Sequence, residues 1–321
     1  MDEFELIRRY FARPPGEGSG VLVGIGDDGA VLSATPGCAL VSVVDTLVEG
    51  VHWPAALSPA DVGFRAVAVN VSDVAAMGGR PRWMTLALTL AEADESWLGA
   101  FTSGLFECAQ RYGVALVGGD VTRGRDIVLS VQVTGEVDPA RVLCRSGASE
   151  GDAIWVTGTP GDSAGGLALC RGDPVAAGEQ DRGYLIARFA RPDVRAAFAA
   201  DLAGLATAAI DVSDGLFADA EKLLAASGAG GRIDVAALPC SAPLVRVFGK
   251  DEAERLALTG GEDYELCFTA KPAREADIRA AAARHGVEVT RIGEVTAGES
   301  LGLVREGHEV EFSDAGWRHF R

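Results

Sequence analysis

The feature that most restricts the fold of this chain is a repeated pairing of a short apolar or small-residue run with an aspartate near glycine or other small residues. Five segments share it: GIGDDG (24–29), VVDT (43–46), NVSDVAAMGG (70–79), ALVGGDVTRG (115–124) and IDVSDG (210–215). Most of these aspartates follow runs that are typical of buried strands. Ligands of α/β sheets bind where such strands end, so the pattern indicates an α/β chain with acidic turns at a sheet edge.

Helix and strand patterns alternate along the chain. The first half predicts a short helix at 1–12, strands at 21–23, 40–44, 84–90, 114–117 and 127–133, and helices at 59–77 and 95–111. The second half predicts helices at 163–170, 182–190, 193–204, 214–227 and 272–285, and strands at 153–157, 207–211, 232–235, 264–269 and 287–295. The small polar segment at 146–152 suits a boundary, so we predict one domain over residues 1–148 and another over 149–321.

The charge balance excludes one large class of partners. The 321 residues carry 46 acidic and 29 basic side chains, which gives a formal net charge of −17 at pH 7. Nucleic-acid binding depends on clustered Lys and Arg that neutralise phosphates, so no nucleic-acid partner is predicted. An acidic protein can still bind a nucleotide if its carboxylates hold divalent cations that in turn hold the phosphates.

The hydropathy pattern gives no sign of a membrane protein. No stretch approaches the roughly 20 apolar residues that span a bilayer, and no N-terminal segment has the pattern of a signal peptide. We therefore predict no membrane partner and a cytoplasmic location. The six cysteines lie apart without a C-x-x-C pair, so they are predicted as small core residues and not as disulfides or zinc ligands.

Each acidic segment, taken singly, also has a structural alternative. Residues 24–29 match G-x-G-x-x-G only weakly, because Thr35-Pro36-Gly37 interrupts the chain where a dinucleotide site needs a long helix, and the alternative is a tight glycine-rich turn with solvated acids. A histidine such as His52 is more often structural than functional, and Ser213 or Asp214 suits a helix N-cap. Asp211 is not explained by capping.

Five such segments in one chain are hard to attribute to chance, and together they predict one centre that holds several metal ions. An all-oxygen ligand set favours Mg²⁺, which binds a few carboxylates and completes its coordination with water and phosphate oxygens. The chain has no D-x-D-x-D-G calcium loop and no G-x-x-x-x-G-K-[ST] loop.

The segments, in this order, resemble the thiamine-monophosphate kinases of the PurM-like superfamily. The resemblance runs from residue 24 to the terminal GWRHF, and GGEDYEL and that terminal segment are the more discriminating pieces. Aminoimidazole ribonucleotide synthetase shares the aspartate-rich pattern but not these two pieces. The resemblance implies an α/β (α+β) PurM-like fold in which an N-terminal ferredoxin-like domain forms the dimer sheet and is followed by a C-terminal α/β/α domain. It also implies a homodimer.

The resemblance implies a role for each residue in a matched motif. The magnesium ligands would be Asp27, Asp45, Asp73, Asp120, Asp211 and Asp214, with Asp28 as a further member. ATP would contact Gly119, Asp120, Arg145 and Ser213. Thiamine monophosphate would contact His52, Glu262 and Trp317, whose indole offers a stacking face to a cationic aromatic ligand. Val43 and Val44 stand where the family often has hydroxyl residues, so metal contact there would use backbone carbonyls.

The activity that the resemblance implies is magnesium-dependent transfer of the ATP γ-phosphoryl group directly to thiamine monophosphate, which gives thiamine diphosphate and ADP. A phosphate monoester oxygen is already ionised near neutral pH, so no single residue is assigned as nucleophile or base. Three other classes stay open: a PurM-like ligase or synthetase, a nicotinamide-dependent oxidoreductase that uses residues 24–29 with Asp45 or Glu49 on the ribose, and a non-catalytic acidic metal-binding module.

Overall fold

The computed structural model describes residues 2–14 and 16–310. These residues form two compact units. The first contains the described residues up to Val74 together with Gly79–Ala140, and the second contains Ala75–Gly78 and the described residues from Arg141 onward. The boundary predicted between residues 148 and 149 stays a prediction. None of the helices in the described ranges combines the length and the apolar character needed to cross a membrane.

The first unit is a four-stranded sheet with two long helices. Its elements are α1 (Glu3–Leu6), a π-helical turn (Ile7–Phe11), β1 (Val21–Val23), β2 (Val31–Leu32), β3 (Ala39–Val48), α2 (Pro59–Ala76), β4 (Arg80–Leu90), α3 (Glu95–Tyr112), β5 (Ala115–Arg123) and β6 (Val128–Val137). The sheet order is β3-β6-β4-β5, while β1 and β2 form a separate two-stranded ribbon. Asp94 caps α3 by accepting from the N–H of Ser96, and Gly113 ends the helix in a left-handed conformation.

One face of the four-stranded sheet is buried and the other is polar. Leu86, Leu129 and Val131 are almost fully buried on the first face. The row on the opposite face pairs Thr46 with Ser130 through their hydroxyls at 2.7 Å, and Ala87 pairs with both Ser130 and Asp120. Because side chains alternate between the faces of a strand, residues that share a row share a face. Thr46, Ala87 and Asp120 are exposed, so this face lies open in the described chain.

The two long helices of the first unit approach closely because glycine stands where they meet. A Cβ at Gly63 would lie 2.0 Å from the Phe101 carbonyl oxygen, and a Cβ at Gly104 would lie 1.8 Å from the Ala60 carbonyl oxygen. Neither position can hold a side chain without moving a helix backbone. The glycines therefore fix the spacing between α2 and α3.

This contact gives a direct stability test. We expect Gly104→Ala to lower the free energy of unfolding by roughly 1–3 kcal/mol, because the added methyl overpacks a backbone contact. Gly99→Ala is the matched control on the same helix, where nothing lies within 4 Å of the added methyl. It should raise the free energy of unfolding by about 0.5–1 kcal/mol through helix propensity. Urea unfolding followed by circular dichroism measures both, and equal effects would contradict the close approach.

The second unit is a seven-stranded sheet covered by helices. Its elements are β7 (Ala153–Thr157), α4 (Asp162–Arg171), α5 (Glu179–Ala190), α6 (Ala196–Leu202), β8 (Ala208–Asp211), α7 (Leu216–Ser227), β9 (Gly230–Asp234), α8 (Ala242–Phe248), α9 (Lys250–Thr259), β10 (Leu266–Ala270), α10 (Glu275–His285), β11 (Val289–Thr296), β12 (Leu301–Arg305) and β13 (His308–Val310). The sheet order is β13-β12-β9-β11-β7-β10-β8. Apolar residues of β7, β8 and α7, among them Ile154, Ile210 and Leu223, form one core cluster.

The strand predictions for β3, β4, β5 and β6 were too short, and those for β3 and β5 bear on the site. The strand predicted at 40–44 continues through Asp45 to Val48, and the one predicted at 114–117 continues through Gly119 and Asp120 to Arg123. Asp45 and Asp120 therefore lie inside strands and not in turns after them. Register explains the extension, because β4 pairs with residues on both sides of the glycine pair in β5. Ladder hydrogen bonding thus overrides the turn preference of Gly118 and Gly119.

Candidate active site

A cavity of about 570 Å³ in the first unit brings together part of the predicted site. Asp27, Asp28 and Asp120 line it together with the backbone of Gly119. Apolar side chains form much of the remaining wall, namely Phe4, Ile7, Phe11, Ile25, Leu116 and Val121. The cavity therefore has acidic oxygen donors beside an apolar surface, which suits a ligand with a charged end and a flat apolar end.

The paired aspartates stand on the connection between β1 and β2. Gly26 has φ +123°, a conformation that side chains rarely adopt, and it allows the chain to turn before Asp27. The Asp27 carboxylate accepts the Asp28 backbone N–H at 2.9 Å. Both aspartates are exposed and follow one another directly. A cation bound in the cavity would be attracted by both carboxylates.

Glycine is required next to Asp120 by the sheet itself. A Cβ at Gly119 would lie 2.0 Å from the Leu86 carbonyl oxygen of the neighbouring strand β4. The parallel register pairs Leu86 with Gly119 and Ala87 with Asp120. The Asp120 side chain therefore leaves the sheet on the exposed face, beside a backbone that carries no side chain at the preceding residue.

Asp45 lies on the outer strand of the same sheet and is tied to helix α2. Its N–H donates to the Asn70 side-chain oxygen at 2.9 Å, and Asn70 is fully buried. Asp73 is three residues further along α2, so it shares a helix face with Asn70. Asp45 and Asp73 are both partly exposed. The helix face that holds the Asp45 backbone is thus the face that carries Asp73.

The Asp45–Asn70 hydrogen bond also shows which way the backbone carbonyls of Val43 and Val44 point. In an antiparallel pair, alternate residues direct both N–H and C=O toward the partner strand or away from it. The Asp45 N–H turns to Asn70, so Asp45 and Val43 direct these groups away from β6, whereas Val44 directs them toward β6. The Val44 side chain is 63% exposed and purely apolar. Only a Val43 carbonyl is therefore oriented for a ligand outside the ladder.

His52 is held by its own loop. Its Nδ1 accepts the Val48 backbone N–H at 3.0 Å, and the neighbouring Trp53 is buried and bridges to Glu49. The loop backbone therefore fixes the orientation of the His52 ring.

In the second unit, the buried carboxylate of Asp219 holds the Asp211–Gly215 loop in its conformation, a role that the sequence did not reveal. Asp219 accepts the backbone N–H groups of Ser213 and Asp214, each at 2.9 Å, and that of Gly215 at 3.2 Å. The N-cap of α7 is Gly215, so the N-cap alternative for Ser213 and Asp214 is wrong. An acidic residue in the first turn of a helix is the signal that would have pointed to Asp219.

A lysine side chain contacts the Asp219 carboxylate and that of Asp214. Lys222 Nζ lies 2.5 Å from Asp214 Oδ2 and 2.8 Å from Asp219 Oδ1. Burial raises the pKa of Asp219 above its ordinary value, although hydrogen bonding to Lys222 and the backbone opposes that shift. Lys222 thus partly neutralises a pair of carboxylates, one of which was predicted to bind metal.

Backbone hydrogen bonds join this loop to the GGEDYEL segment. Glu262 N–H donates to the Ser213 carbonyl and Tyr264 N–H to the Val212 carbonyl, both at 2.8 Å. The pairing continues into the sheet, where Asp211 at the end of β8 pairs with Leu266 of β10. The second unit therefore brings Asp211, Ser213, Asp214 and Glu262 into one region.

Behind Glu262 lies a buried ionic network. Asp263 accepts the N–H groups of Gly161 at 2.7 Å and Ser163 at 3.1 Å, and burial raises its pKa to about 8. Glu265 is fully buried and binds Arg188 at 2.6 Å and Arg195 at 2.7 Å. Burial would raise the pKa of Glu265, but the two arginines lower it below its ordinary value. The three acids of GGEDYEL did not by themselves indicate this division of roles.

The remaining predicted residues are placed as follows. Arg145 is exposed, and its carbonyl accepts the Ser227 hydroxyl at 3.2 Å. The preceding Cys144 carbonyl accepts the Ala209 N–H at 2.9 Å, so Arg145 follows a residue that pairs with β8. Trp317 lies outside the described residues. Among residues 2–14 and 16–310, no three His, Cys, Asp or Glu side chains form a ready-made metal cluster.

Two family models match the chain. The model described as AIR synthase related protein, N-terminal domain, matches residues 26–137, and the model described as AIR synthase related protein, C-terminal domain, matches residues 149–306. The two matches follow one another in the order expected of a PurM-like protein. Together they span most of the chain.

Individual proteins give a narrower assignment. The chain is 46% identical to thiamine-monophosphate kinase of Salmonella typhimurium over 99% of its own length and 98% of that protein. It superposes on the crystal structure of thiamine-monophosphate kinase from Stenotrophomonas maltophilia with a TM-score of 0.88 and 42% identity, over 97% of this chain and 98% of that chain. AaThiL, solved complexed with AMPPCP and TMP, gives a TM-score of 0.78 and 36% identity over 92% of each chain. The family resemblance and the two-domain PurM-like α/β fold predicted from the sequence are therefore confirmed, and the chain belongs to the thiamine-monophosphate kinase family.

Proposed function

We propose that the protein transfers the γ-phosphoryl group of ATP directly to thiamine monophosphate, giving thiamine diphosphate and ADP. The observation that carries the proposal is the cavity of the first unit, where Asp27, Asp28 and Asp120 stand beside the Gly119 backbone and an apolar wall. This combination suits a nucleotide whose phosphates are held through cations. The relative solved with AMPPCP and TMP supports the same pair of substrates.

The donor set of the first unit fits magnesium. Asp27, Asp28 and Asp120 offer carboxylate oxygens around one cavity, and Mg²⁺ needs only one or two carboxylates in addition to water and phosphate oxygens. Asp45 and Asp73 would hold further magnesium, with the Val43 carbonyl favoured over the Val44 carbonyl as a backbone ligand. In the second unit the proposed ligands are Asp211 and Asp214. When bound, Mg²⁺ neutralises the charge of the donor and acceptor phosphates.

The other proposed contacts are those that the sequence motifs imply. Gly119, Asp120, Arg145 and Ser213 are proposed to contact ATP. His52, whose ring is oriented by the Val48 N–H, is proposed to contact thiamine monophosphate together with Glu262. Trp317 is proposed as the third contact from its sequence motif.

We propose direct transfer without a phosphorylated enzyme. The acceptor is a phosphate oxygen that is already ionised, so the protein contributes position and charge and not a nucleophile or a strong base. Most of the other side chains that line the cavity are apolar, so the aspartates supply its charged groups. Isolation of a labelled enzyme after mixing with γ-labelled ATP, with kinetically competent turnover on adding acceptor, would overturn this step.

A homodimer and a cytoplasmic location complete the proposal. In the described part of the chain the ten-residue strand β3 has a strand neighbour on one side only, namely β6, and thus forms an edge of the sheet. Long free edges are normally covered, which supports a second copy at this sheet. Sedimentation velocity should give twice the monomer mass, and a monomer at micromolar concentration would contradict this part.

An assay of ADP release tests the proposed reaction. Purified protein with Mg²⁺ and ATP should release ADP when thiamine monophosphate is added, and chromatography should show thiamine diphosphate formed in equal amount. Unphosphorylated thiamine is the matched control acceptor, because it offers a hydroxyl instead of a phosphate. Release of inorganic phosphate without thiamine diphosphate would favour the PurM-like ligase alternative, and folded protein without acceptor-dependent turnover would overturn the proposal.

A further inference from the structure

The side chains of the GGEDYEL segment divide into an anchored pair and a pair that contact each other. Asp263 and Glu265 are buried and bound by backbone N–H groups and arginines. Between and beside them, Tyr264 Oη donates a hydrogen bond to Glu262 Oε2 at 3.1 Å. The phenol is the donor because an ionised carboxylate can only accept. Tyr264 is therefore linked directly to the residue proposed to contact thiamine monophosphate.

The backbone around Tyr264 is fixed in an unusual conformation. Glu262 has φ +72° and Tyr264 has φ +53°, the left-handed region that residues with a Cβ seldom occupy. Both residues are held there by their N–H groups, which donate to Ser213 and Val212. Backbone strain of this kind persists where the surrounding structure imposes it, and it concentrates at functional sites.

The Tyr264 side chain has little freedom of its own. It is only 6% exposed, and it lies between two residues whose carboxylates are anchored at α4 and at two arginines. Its hydroxyl therefore remains beside Glu262 before any ligand arrives. Glu262 is partly exposed, so its carboxylate can reach a ligand while Oε2 is held by the phenol. A carboxylate oriented in this way loses less freedom on binding.

We infer that Tyr264 is a positioning residue that orients the Glu262 carboxylate toward the cationic ring system of thiamine monophosphate. The inference rests on the proposed function, since it deepens the role of Glu262 in that site. Tyr264 acts through Glu262, so it should affect the affinity for thiamine monophosphate and not the affinity for ATP or the transfer step. A purely structural tyrosine would lower the amount of folded protein without separating these quantities.

Tyr264→Phe tests the inference because it removes the hydroxyl alone. The loss of one hydrogen bond to a charged group should raise KM for thiamine monophosphate about tenfold. The value of kcat and KM for ATP should stay within about twofold of wild type. Tyr184→Phe is the matched control, since the Tyr184 hydroxyl also donates to a carboxylate in the same unit, but to that of Asp162, at 2.9 Å, and not to that of Glu262. It should leave all three constants unchanged.

A double-mutant cycle then assigns the route. If Tyr264 acts through Glu262, Tyr264→Phe should add little to the effect of Glu262→Gln. Additive effects would overturn the inference and leave the proposed function intact. The same holds if Tyr264→Phe behaves like Tyr184→Phe while Glu262→Gln raises KM for thiamine monophosphate. Wild-type protein without turnover that depends on thiamine monophosphate would instead overturn the proposed function.

A second variant keeps the test decisive if Tyr264→Phe does not fold. Glu262→Asp keeps the charge and leaves the phenol in place, but it withdraws the carboxylate by one methylene from the hydroxyl. We expect KM for thiamine monophosphate to rise about as much as in Tyr264→Phe. Wild-type KM in Glu262→Asp would show that the hydrogen bond does not orient the carboxylate.

Discussion

Asp120→Asn should reduce kcat/KM by a factor on the order of a thousand while leaving the folded protein intact. The substitution keeps the size of the side chain and removes the negative charge from the cavity that Asp120 shares with Asp27 and Asp28. Loss of one metal ligand removes several kcal/mol of transition-state stabilisation, which corresponds to a rate factor of about this size. Asp120 is exposed, so its replacement should change the free energy of unfolding by less than about 0.5 kcal/mol.

Two measurements separate a metal ligand from a structural acid. Asp126→Asn is the matched control, because Asp126 is an exposed aspartate in the connection from β5 to β6 and lies outside the cavity. Steady-state turnover should be normal in this control. The melting temperature of the wild type should rise on adding Mg²⁺, because binding to the folded state stabilises it. This increase should be smaller in Asp120→Asn. Normal turnover by Asp120→Asn would refute its role, and an unfolded variant would support a structural one.

Glu265→Gln should lower the free energy of unfolding by about 3–5 kcal/mol. The carboxylate is fully buried between Arg188 and Arg195, and it also accepts the Thr157 hydroxyl at 2.6 Å. Removing one partner of a buried ion pair leaves charge without compensation in a medium of low dielectric constant, which explains the size of the effect. Urea unfolding monitored by circular dichroism measures the change.

An exposed ion pair in the same unit provides the control. Arg232 and Glu294 approach to 2.8 Å, but their side chains are 56% and 47% exposed. Glu294→Gln should therefore cost no more than about 1 kcal/mol, since exposed pairs are weak. If Glu265→Gln costs no more than Glu294→Gln, the buried network does not hold the GGEDYEL segment in place.

Much of the fold could be predicted from local patterns. The long helices at 59–77 and 95–111 and the strand at 153–157 agree with α2, α3 and β7, because their apolar periodicity is strong and their ends carry turn or capping residues. Helices α8 and α9 were missed. The first has seven residues, and the second carries Glu254, a buried acid paired with Arg305 where an apolar residue was expected.

The site was predictable in its residue types but not in its supports. Aspartates beside glycine indicated metal and nucleotide chemistry, and the structure brings Asp27, Asp28, Gly119 and Asp120 to one cavity. Asn70, Asp219, Lys222 and Tyr264 were missed because their roles depend on long-range contacts, such as the bond from Asp45 to Asn70. No local pattern separates such a residue from an ordinary helix or strand position.

The pairing of residues 212–213 with residues 262–264 has a consequence for altering substrate preference. It uses backbone N–H and C=O groups, so it does not depend on which side chains stand at 262 and 264. A combinatorial library at these two positions should therefore keep the path of the chain, with Asn and Gly tolerated best at their left-handed φ values. Proline at either position would remove a donor, and a single-residue insertion in either segment of the pair would shift the alignment of every later contact. The side chains at 262 and 264 can therefore be changed much more readily than the number of residues in the two paired segments.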